Sequence, residues 1–227
     1  MKAVLFIHGF MAKEEDNRYF FDQLGPNIKL YYFQLPGHDG TYPKLNYQDW
    51  IEKAEEELKL VLKEYPKVTL VGHSMGGVIA SYLAAKYSQV EKLVLLAPAF
   101  YYGNIKEWVV SGVHRHEEQE DLIIPKYHEK LSTYPKHYFL EFLRLLKKLR
   151  PYIQKVKCPT LILHGTRDHI ISLKASRYAY QSLKGEKYLT LLPNIRHRIL
   201  ESSNKQFVAS YIESYILDEN FIYKKVL

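Results

Sequence analysis

Hydrophobic residues along the chain fall into short continuous runs separated by longer segments with helical spacing. The runs are typical of buried strands, and they lie at Val4 to Ile7, Ile28 to Leu35, Val68 to Val71, Leu93 to Ala97, Thr160 to His164 and Tyr188 to Leu192. The spaced segments predict helices within Glu14 to Leu24, Tyr47 to Tyr65, Met75 to Tyr87 and Leu173 to Leu183, and a final helix capped by Ser203. Because strands alternate with helices, the pattern predicts an α/β fold with a doubly wound, mainly parallel sheet of about six strands.

The alternation breaks over residues 100–157, where a helix predicted from His137 to Leu149 carries more apolar surface than an exposed helix shows. We therefore expect residues 1–99 and 158–227 to form the α/β body, and residues 100–157 to form a helical cap insertion over one edge of the sheet. Ordinary packing on the body is the alternative interpretation of that apolar surface. As a cap, the segment supplies the expected walls of a substrate pocket, which are Tyr101, Trp108, Phe139 and Leu143.

The segment from Val68 to Gly77 reads VTLVGHSMGG and contains the spacing G-x-S-x-G. A strand, a sharp turn and a helix start in this order are typical of a nucleophile elbow, in which the serine hydroxyl is exposed above the sheet. Glycines flank the serine because neighbouring backbone comes too close for a Cβ. Ser74 is therefore the candidate nucleophile, and the alternative is a serine that only caps a helix.

Two further candidates follow later strands. A serine nucleophile needs a base and a group that orients the base. Asp168 follows the fifth predicted strand and His197 follows the sixth, so both are expected at the same sheet edge as Ser74. His169 is a competing base, but its position next to Asp168 makes a productive hydrogen bond between the two awkward.

Backbone N–H groups are expected to stabilise a developing oxyanion. Met75, at the start of the elbow helix, supplies one, and Phe10, in the loop after the first strand, supplies the other. His8, His73 and His164 lie at strand ends and are interpreted as packing residues around this site, whereas His38 is interpreted as a loop residue.

Composition and charge narrow the class of partner. The chain has 227 residues, 47% of them hydrophobic and 25% charged, and a formal net charge of +7. Lysines are interleaved with glutamates, so no nucleic-acid partner is predicted. The basic cluster of Arg144, Lys147, Lys148 and Arg150 indicates a solvated helix face or a weak contact with an anionic lipid surface.

The chain carries one cysteine, Cys158, which excludes a disulfide framework and favours a reducing, cytoplasmic location. No run approaches the ~18 apolar residues of a membrane span, and none has the features of a signal peptide. Four histidines in the cap segment lack the spaced partners of a metal site, so neither a metal nor a cofactor is expected; they are His114, His116, His128 and His137.

Four motifs together resemble the α/β-hydrolase superfamily: HGF at His8 to Phe10, GHSMGG at Gly72 to Gly77, HGTRD at His164 to Asp168, and the late histidine His197. The chain is most similar to small bacterial carboxylesterases and monoacylglycerol lipase-like enzymes. The resemblance implies an α/β-hydrolase fold, and the chain is expected to depart from it by lacking the two leading strands of larger members. It gives Ser74, Asp168 and His197 the roles of nucleophile, acid and base, and Phe10 and Met75 those of oxyanion donors.

The motifs and the resemblance lead to one expected function, a serine esterase that hydrolyses small-molecule esters of short to medium hydrophobic acyl groups through an acyl-enzyme. A thioesterase, or a carbon-carbon hydrolase or lyase of the same superfamily, is the alternative reaction. A slow-turnover sensor that binds a ligand on the hydrolase fold is the alternative from another class.

Overall fold

The computed structural model describes residues 1–101, 135–218, 221 and 223, so Trp108, His114, His116 and His128 lie outside the described residues. Within them the strands are β1 (Lys2–Ile7), β2 (Ile28–Tyr32), β3 (Val68–His73), β4 (Val90–Leu96), β5 (Thr160–Gly165) and β6 (Lys187–Leu192). They form a six-stranded sheet in the order β2-β1-β3-β4-β5-β6 over this part of the chain, and each neighbouring pair is parallel. The predicted α/β class, strand number and strand direction are confirmed.

Helices connect the strands. The α-helices are α1 (Arg18–Gln23), α2 (Tyr47–Glu64), α3 (Met75–Lys86), α4 (Lys136–Leu149), α5 (Leu173–Ser182) and α6 (Lys205–Leu217). Short 3-10 helices span Glu14–Asn17, Arg150–Lys155 and Ile199–Glu201. The prediction of Ser203 as the cap of the last helix is wrong, because Asn204 is the residue that precedes α6 and its side chain makes no capping hydrogen bond.

Each strand sends alternate side chains to opposite faces of the sheet, as the pleat requires. On β1, Leu5 packs into a core with residues of α2, α3, α4 and α5. The adjacent Phe6 packs into a second core with residues of α1 and α6. Helices therefore cover both faces, which is the doubly wound arrangement that the sequence pattern predicted.

Helix α4 lies at the end of the predicted cap and packs on the body. Its buried side chains Tyr138, Phe142 and Leu145 belong to the same core as Trp50 of α2. The Tyr138 hydroxyl donates to the carbonyl of Pro43 at 2.8 Å. These contacts fix α4 against the segment that leads into α2.

A buried lysine ties the last helix to the sheet. Lys92 lies within β4 and is 8% exposed. Its ammonium donates to the carbonyls of Tyr215 at 2.5 Å and Ile216 at 3.1 Å, and to the Asp218 carboxylate at 2.5 Å. A cation placed on the final carbonyls of a helix satisfies them and interacts favourably with the negative end of the helix dipole.

Candidate active site

Ser74 occupies a strained turn between β3 and α3, as the glycine spacing predicted. Its backbone has a φ of 53° and a ψ of −114°, which residues with a Cβ rarely adopt. A Cβ on Gly72 would lie 2.5 Å from the carbonyl oxygen of Gly76, and a Cβ on Gly76 would collide with the carbonyls of Ile7 and His8. Both glycines are therefore required for the tight crossing of β1, β3 and α3.

Backbone hydrogen bonds hold the serine in this conformation. The Ser74 N–H donates to the carbonyl of Leu96 at 2.9 Å, and the Ser74 carbonyl accepts from the N–H groups of Gly77 and Ala99, both at 3.1 Å. Strain of this kind costs about 1–3 kcal/mol and persists only where surrounding structure enforces it. Here the hydrogen bonds to the end of β4, to the residue Ala99 after it and to the first turn of α3 keep Ser74 in the strained conformation.

Asp168 and His197 are brought together by the loops after β5 and β6. The Nδ1–H of His197 donates to Oδ2 of Asp168 at 2.7 Å. The other carboxylate oxygen accepts from the backbone N–H groups of Ile170 at 2.9 Å and Ile171 at 2.8 Å. Because Nδ1 of His197 carries the bonded proton, Nε2 of the neutral ring presents a lone pair, which a general base requires.

The Asp168 carboxylate is held in its charged form. Burial by itself would raise the pKa of this carboxyl, but the electrostatic interaction with His197 and the hydrogen bond from its ring act in the opposite direction, and the pKa lies below its usual value. The buried His164 ring also lies near, with Nε2 3.5 Å from Oδ2. The competing residue His169 is exposed, and the contact with the carboxylate is made by His197.

His8 fixes the loop that contains the expected oxyanion donor Phe10. The Nδ1–H of His8 donates to the carbonyl of Gly9 at 2.8 Å, and its Nε2 accepts from the N–H of Leu35 at 2.9 Å. The Gly9 carbonyl and the Phe10 N–H belong to one peptide plane, so a hydrogen bond to the carbonyl also sets the direction of the N–H. The second expected donor, Met75, is buried as the first residue of α3.

An aromatic cluster surrounds the Phe10 side chain. Its ring stacks on Phe142 of α4 with centroids 4.8 Å apart, and it meets His38 and Trp50 edge-on at 5.8 Å and 6.0 Å. Phe142 was not singled out from the sequence, and His38 was interpreted there only as a loop residue. Phe142 shares a face with Tyr138 and the leucines of α4 at helical spacing, which was the available signal for its burial.

The expected pocket residues take up different environments. Tyr101 is 38% exposed, and its ring lies against the guanidinium of Arg150 and the edge of Tyr178. Phe139 and Leu143 are half-buried on α4, and the ring of Phe139 lies 6.0 Å from that of Phe142. Their contact with a substrate stays a prediction, as does that of Trp108.

Three histidines near the candidate site are neutral at physiological pH; His8 and His38 are buried and His73 is half-buried. Burial, together with the neighbouring His38, lowers the pKa of His8 to about 3. Burial also lowers the pKa of His38 to about 4. For His73, burial and then the nearby His197 lower the pKa to about 3. Their hydrogen bonds are therefore made by uncharged rings, each in one tautomer.

In the part of the chain that the structure describes, no group of three or more His, Cys, Asp or Glu side chains is placed to hold a metal ion. Across the same residues, every helix is too short or too polar to cross a membrane.

Comparison with known proteins adds family-level information to this geometry. A model of the alpha/beta hydrolase family matches residues 4–210. A thermostable monoacylglycerol lipase of Bacillus sp. (strain H-257) is 24% identical over 207 residues, which cover 86% of this chain and 82% of the relative. Serine hydrolase BPHL of Homo sapiens is 25% identical over 172 residues, which cover 66% of this chain and 56% of the relative.

A solved structure supports the fold. The crystal structure of a soluble variant of monoglyceride lipase from Saccharomyces cerevisiae, in complex with a substrate analog, superposes with a TM-score of 0.76. The superposition covers 96% of this chain and 87% of the lipase, at 20% sequence identity. At 20% sequence identity, this similarity shows a shared fold, which is the arrangement of strands and helices.

Proposed function

Because the chain belongs to the alpha/beta hydrolase family, we propose that it is a serine hydrolase that cleaves small-molecule carboxylic esters. One observation carries the proposal: the 2.7 Å hydrogen bond between His197 and Asp168, at the sheet edge where the strained Ser74 turn lies. The names of two relatives, a monoacylglycerol lipase and a serine hydrolase, agree with it.

Each of the three residues has one task in the proposed reaction. Nε2 of His197 takes the hydroxyl proton as Oγ of Ser74 attacks the ester carbonyl, and the protonated ring then gives that proton to the departing alcohol. Asp168 stays ionised, holds the Nδ1–H tautomer and stabilises the imidazolium. Water then attacks the acyl-enzyme with the same proton transfers and releases the carboxylic acid.

The N–H groups of Phe10 and Met75 are the proposed donors to the oxyanion that forms on the carbonyl oxygen. Support for Phe10 comes from the His8 contact that orients its peptide plane. Support for Met75 comes from its place at the N-terminus of α3, where backbone N–H groups are free of helical partners and the dipole favours negative charge. Such donors stabilise the negative charge that develops on the carbonyl oxygen in the transition state, so they lower the activation free energy of the reaction.

The proposed substrates carry short to medium hydrophobic acyl groups. Support for this chain length comes from the size and number of the apolar residues that are expected to line the pocket in the cap, which are Tyr101, Trp108, Phe139 and Leu143. A cytoplasmic location and a weak attraction to anionic lipid surfaces are part of the same proposal. The single cysteine supports the first, and the net charge of +7 supports the second.

The test is hydrolysis of p-nitrophenyl esters from acetate to palmitate by the wild type, by Ser74→Ala and by Ser88→Ala, whose serine is exposed after α3. We expect a maximum at one chain length, loss of turnover in Ser74→Ala and unchanged turnover in Ser88→Ala. A serine-reactive phosphonate should label the wild type at Ser74. Full activity in Ser74→Ala would contradict the proposal.

A further inference from the structure

The loop that carries the base is bonded to the strand that carries the nucleophile. His73 is the last residue of β3 and directly precedes Ser74. Nε2 of its ring lies 3.1 Å from the carbonyl oxygen of His197. The two imidazole rings lie 5.0 Å apart at an interplanar angle of 35°.

The proton on this hydrogen bond can be assigned. A carbonyl oxygen only accepts, so Nε2 of His73 must carry the hydrogen. With its pKa lowered to about 3 by burial and by His197, the ring is neutral and Nδ1 bears a lone pair. Nδ1 faces the loop after β1, where a Cβ on Gly9 would lie 3.5 Å from it and 3.2 Å from Cβ of Ser74. One imidazole therefore packs between the nucleophile turn, the base loop and the loop of Phe10.

We propose that His73 is a positioning residue that holds His197 at its working distance from Ser74, an inference that rests on the proposed function. Asp168 fixes only the Nδ1 side of the base. The backbone of His197 needs its own anchor, and the His73 N–H supplies one from the nucleophile's strand. Any shift of β3 is thereby transmitted to the base, so the two reacting groups move together.

Other contacts hold the same loop: the His197 carbonyl also accepts the N–H of Ile199 at 2.9 Å, a hydrogen bond within the loop itself. The Arg198 guanidinium donates to Asp16 at 2.5 Å, and the N–H of Arg167 donates to the carbonyl of Ile195 at 2.9 Å. These contacts lead to the segment after β1 and to the loop after β5. Loss of His73 should therefore leave the loop folded but loosely placed relative to Ser74. A misplacement of about 1 Å between reacting groups can cost about 10²-fold in rate.

Three replacements of His73 separate its hydrogen bond from its bulk. The amide nitrogen of glutamine reaches the position of Nε2, so His73→Gln keeps a donor to the His197 carbonyl. Asparagine is shorter than glutamine, so in His73→Asn the amide lies near the former position of Nδ1 and cannot donate to the His197 carbonyl. Leucine in His73→Leu has no polar group. His137→Gln, at an exposed position on α4, is the control.

We expect His73→Asn and His73→Leu to lower kcat about 10²-fold with KM within about twofold of the wild type. His73→Gln should stay within about tenfold of the wild-type kcat, and His137→Gln should equal the wild type. Equal kcat in the glutamine and asparagine variants, at equal Tm, would overturn the positioning role. If His73→Leu does not fold, the glutamine and asparagine pair alone decides the question.

The rate of phosphonate labelling at Ser74 is a second measurement, because it needs the base but no natural substrate. It should follow the same order as kcat. If the wild type hydrolyses none of the esters yet labels at Ser74, the labelling rates still test His73. Equal labelling in all variants then refutes the positioning role alone, whereas failure of the wild type to label overturns the proposed function and this inference with it.

Discussion

Three histidines with lowered pKa values should make the fold sensitive to mild acid. Burial lowers the pKa of His8 and His73 to about 3 and that of His38 to about 4, from an ordinary value of 6.5. As the pH falls below about 6.5, the unfolded chain binds protons at these rings while the folded protein does not. The free energy of unfolding is therefore highest above pH 6.5 and falls as the pH drops towards 3 to 4.

The size of the loss follows from proton linkage. Between pH 7 and pH 5, a histidine that titrates only in the unfolded state lowers the free energy of unfolding by about 2 kcal/mol. Three such residues lower it by about 6 kcal/mol, against a total of about 5–15 kcal/mol for a typical domain. We therefore expect the protein to be marginally stable near pH 5.

His38→Asn isolates one of the three contributions. Nδ1 of His38 lies 3.1 Å from the carbonyl of Pro36 as a donor, and the asparagine amide keeps a donor near that position without a titrating ring. Urea unfolding at pH 7 and pH 5, followed by the fluorescence of the buried Trp50, should show a loss about 2 kcal/mol smaller in this variant than in the wild type. His137→Asn, at an exposed site, should keep the full loss. Equal pH dependence in all three proteins would refute the reasoning.

Two further substitutions test the acid of the site and the link between sheet and last helix. Asp168→Asn should lower kcat for p-nitrophenyl esters by up to about 10⁴-fold, because the amide favours the wrong tautomer of His197, and retained activity would point to another acid. Lys92→Met should lower the free energy of unfolding in urea by about 2–3 kcal/mol, because charged hydrogen bonds to the end of α6 are lost. Lys29→Met, on the exposed face of β2, should change it by less than about 0.5 kcal/mol, and an equal effect of the two would contradict the capping role.

The sequence predicted the strands because parallel strands buried on both faces must be apolar throughout. The largest errors, of three residues each, lie at the start of β4 and at the end of β2, and both have definable reasons. The run of Leu93 to Ala97 stops at the charged Lys92, yet β4 starts at Val90, because the ammonium of Lys92 finds its partners at the end of α6. β2 ends at Tyr32 instead of Leu35, because the N–H of Leu35 is bonded to the imidazole of His8 instead of to a neighbouring strand.

The placement of the candidate site was predictable as far as topology determines it. Ser74, Asp168 and His197 each follow the carboxyl end of a strand, and in a parallel sheet these ends share one edge. The Asp168 to His197 hydrogen bond is the contact that such placement implies. The stacking of Phe142 on Phe10 was not predictable, since it depends on how α4 packs against a loop more than a hundred residues earlier in the chain. Periodicity identifies a buried face but not the residue that it meets.

The two neutral histidines beside the proposed reacting groups, His73 and His8, should respond differently to acid. Protonation of His73 adds a proton at Nδ1 and leaves the Nε2–H bond to His197 in place. Protonation of His8 occupies Nε2, which accepts the N–H of Leu35, so that hydrogen bond must break. The Nδ1–H of His8 still donates to the Gly9 carbonyl, so the peptide that carries the Phe10 N–H keeps this bond and loses only the support that the Leu35 contact gives to the His8 ring. Because the pKa of both rings is about 3 in the folded protein, these changes should begin only near pH 3, and the contact between the proposed base and the nucleophile strand should persist through them for as long as the chain stays folded.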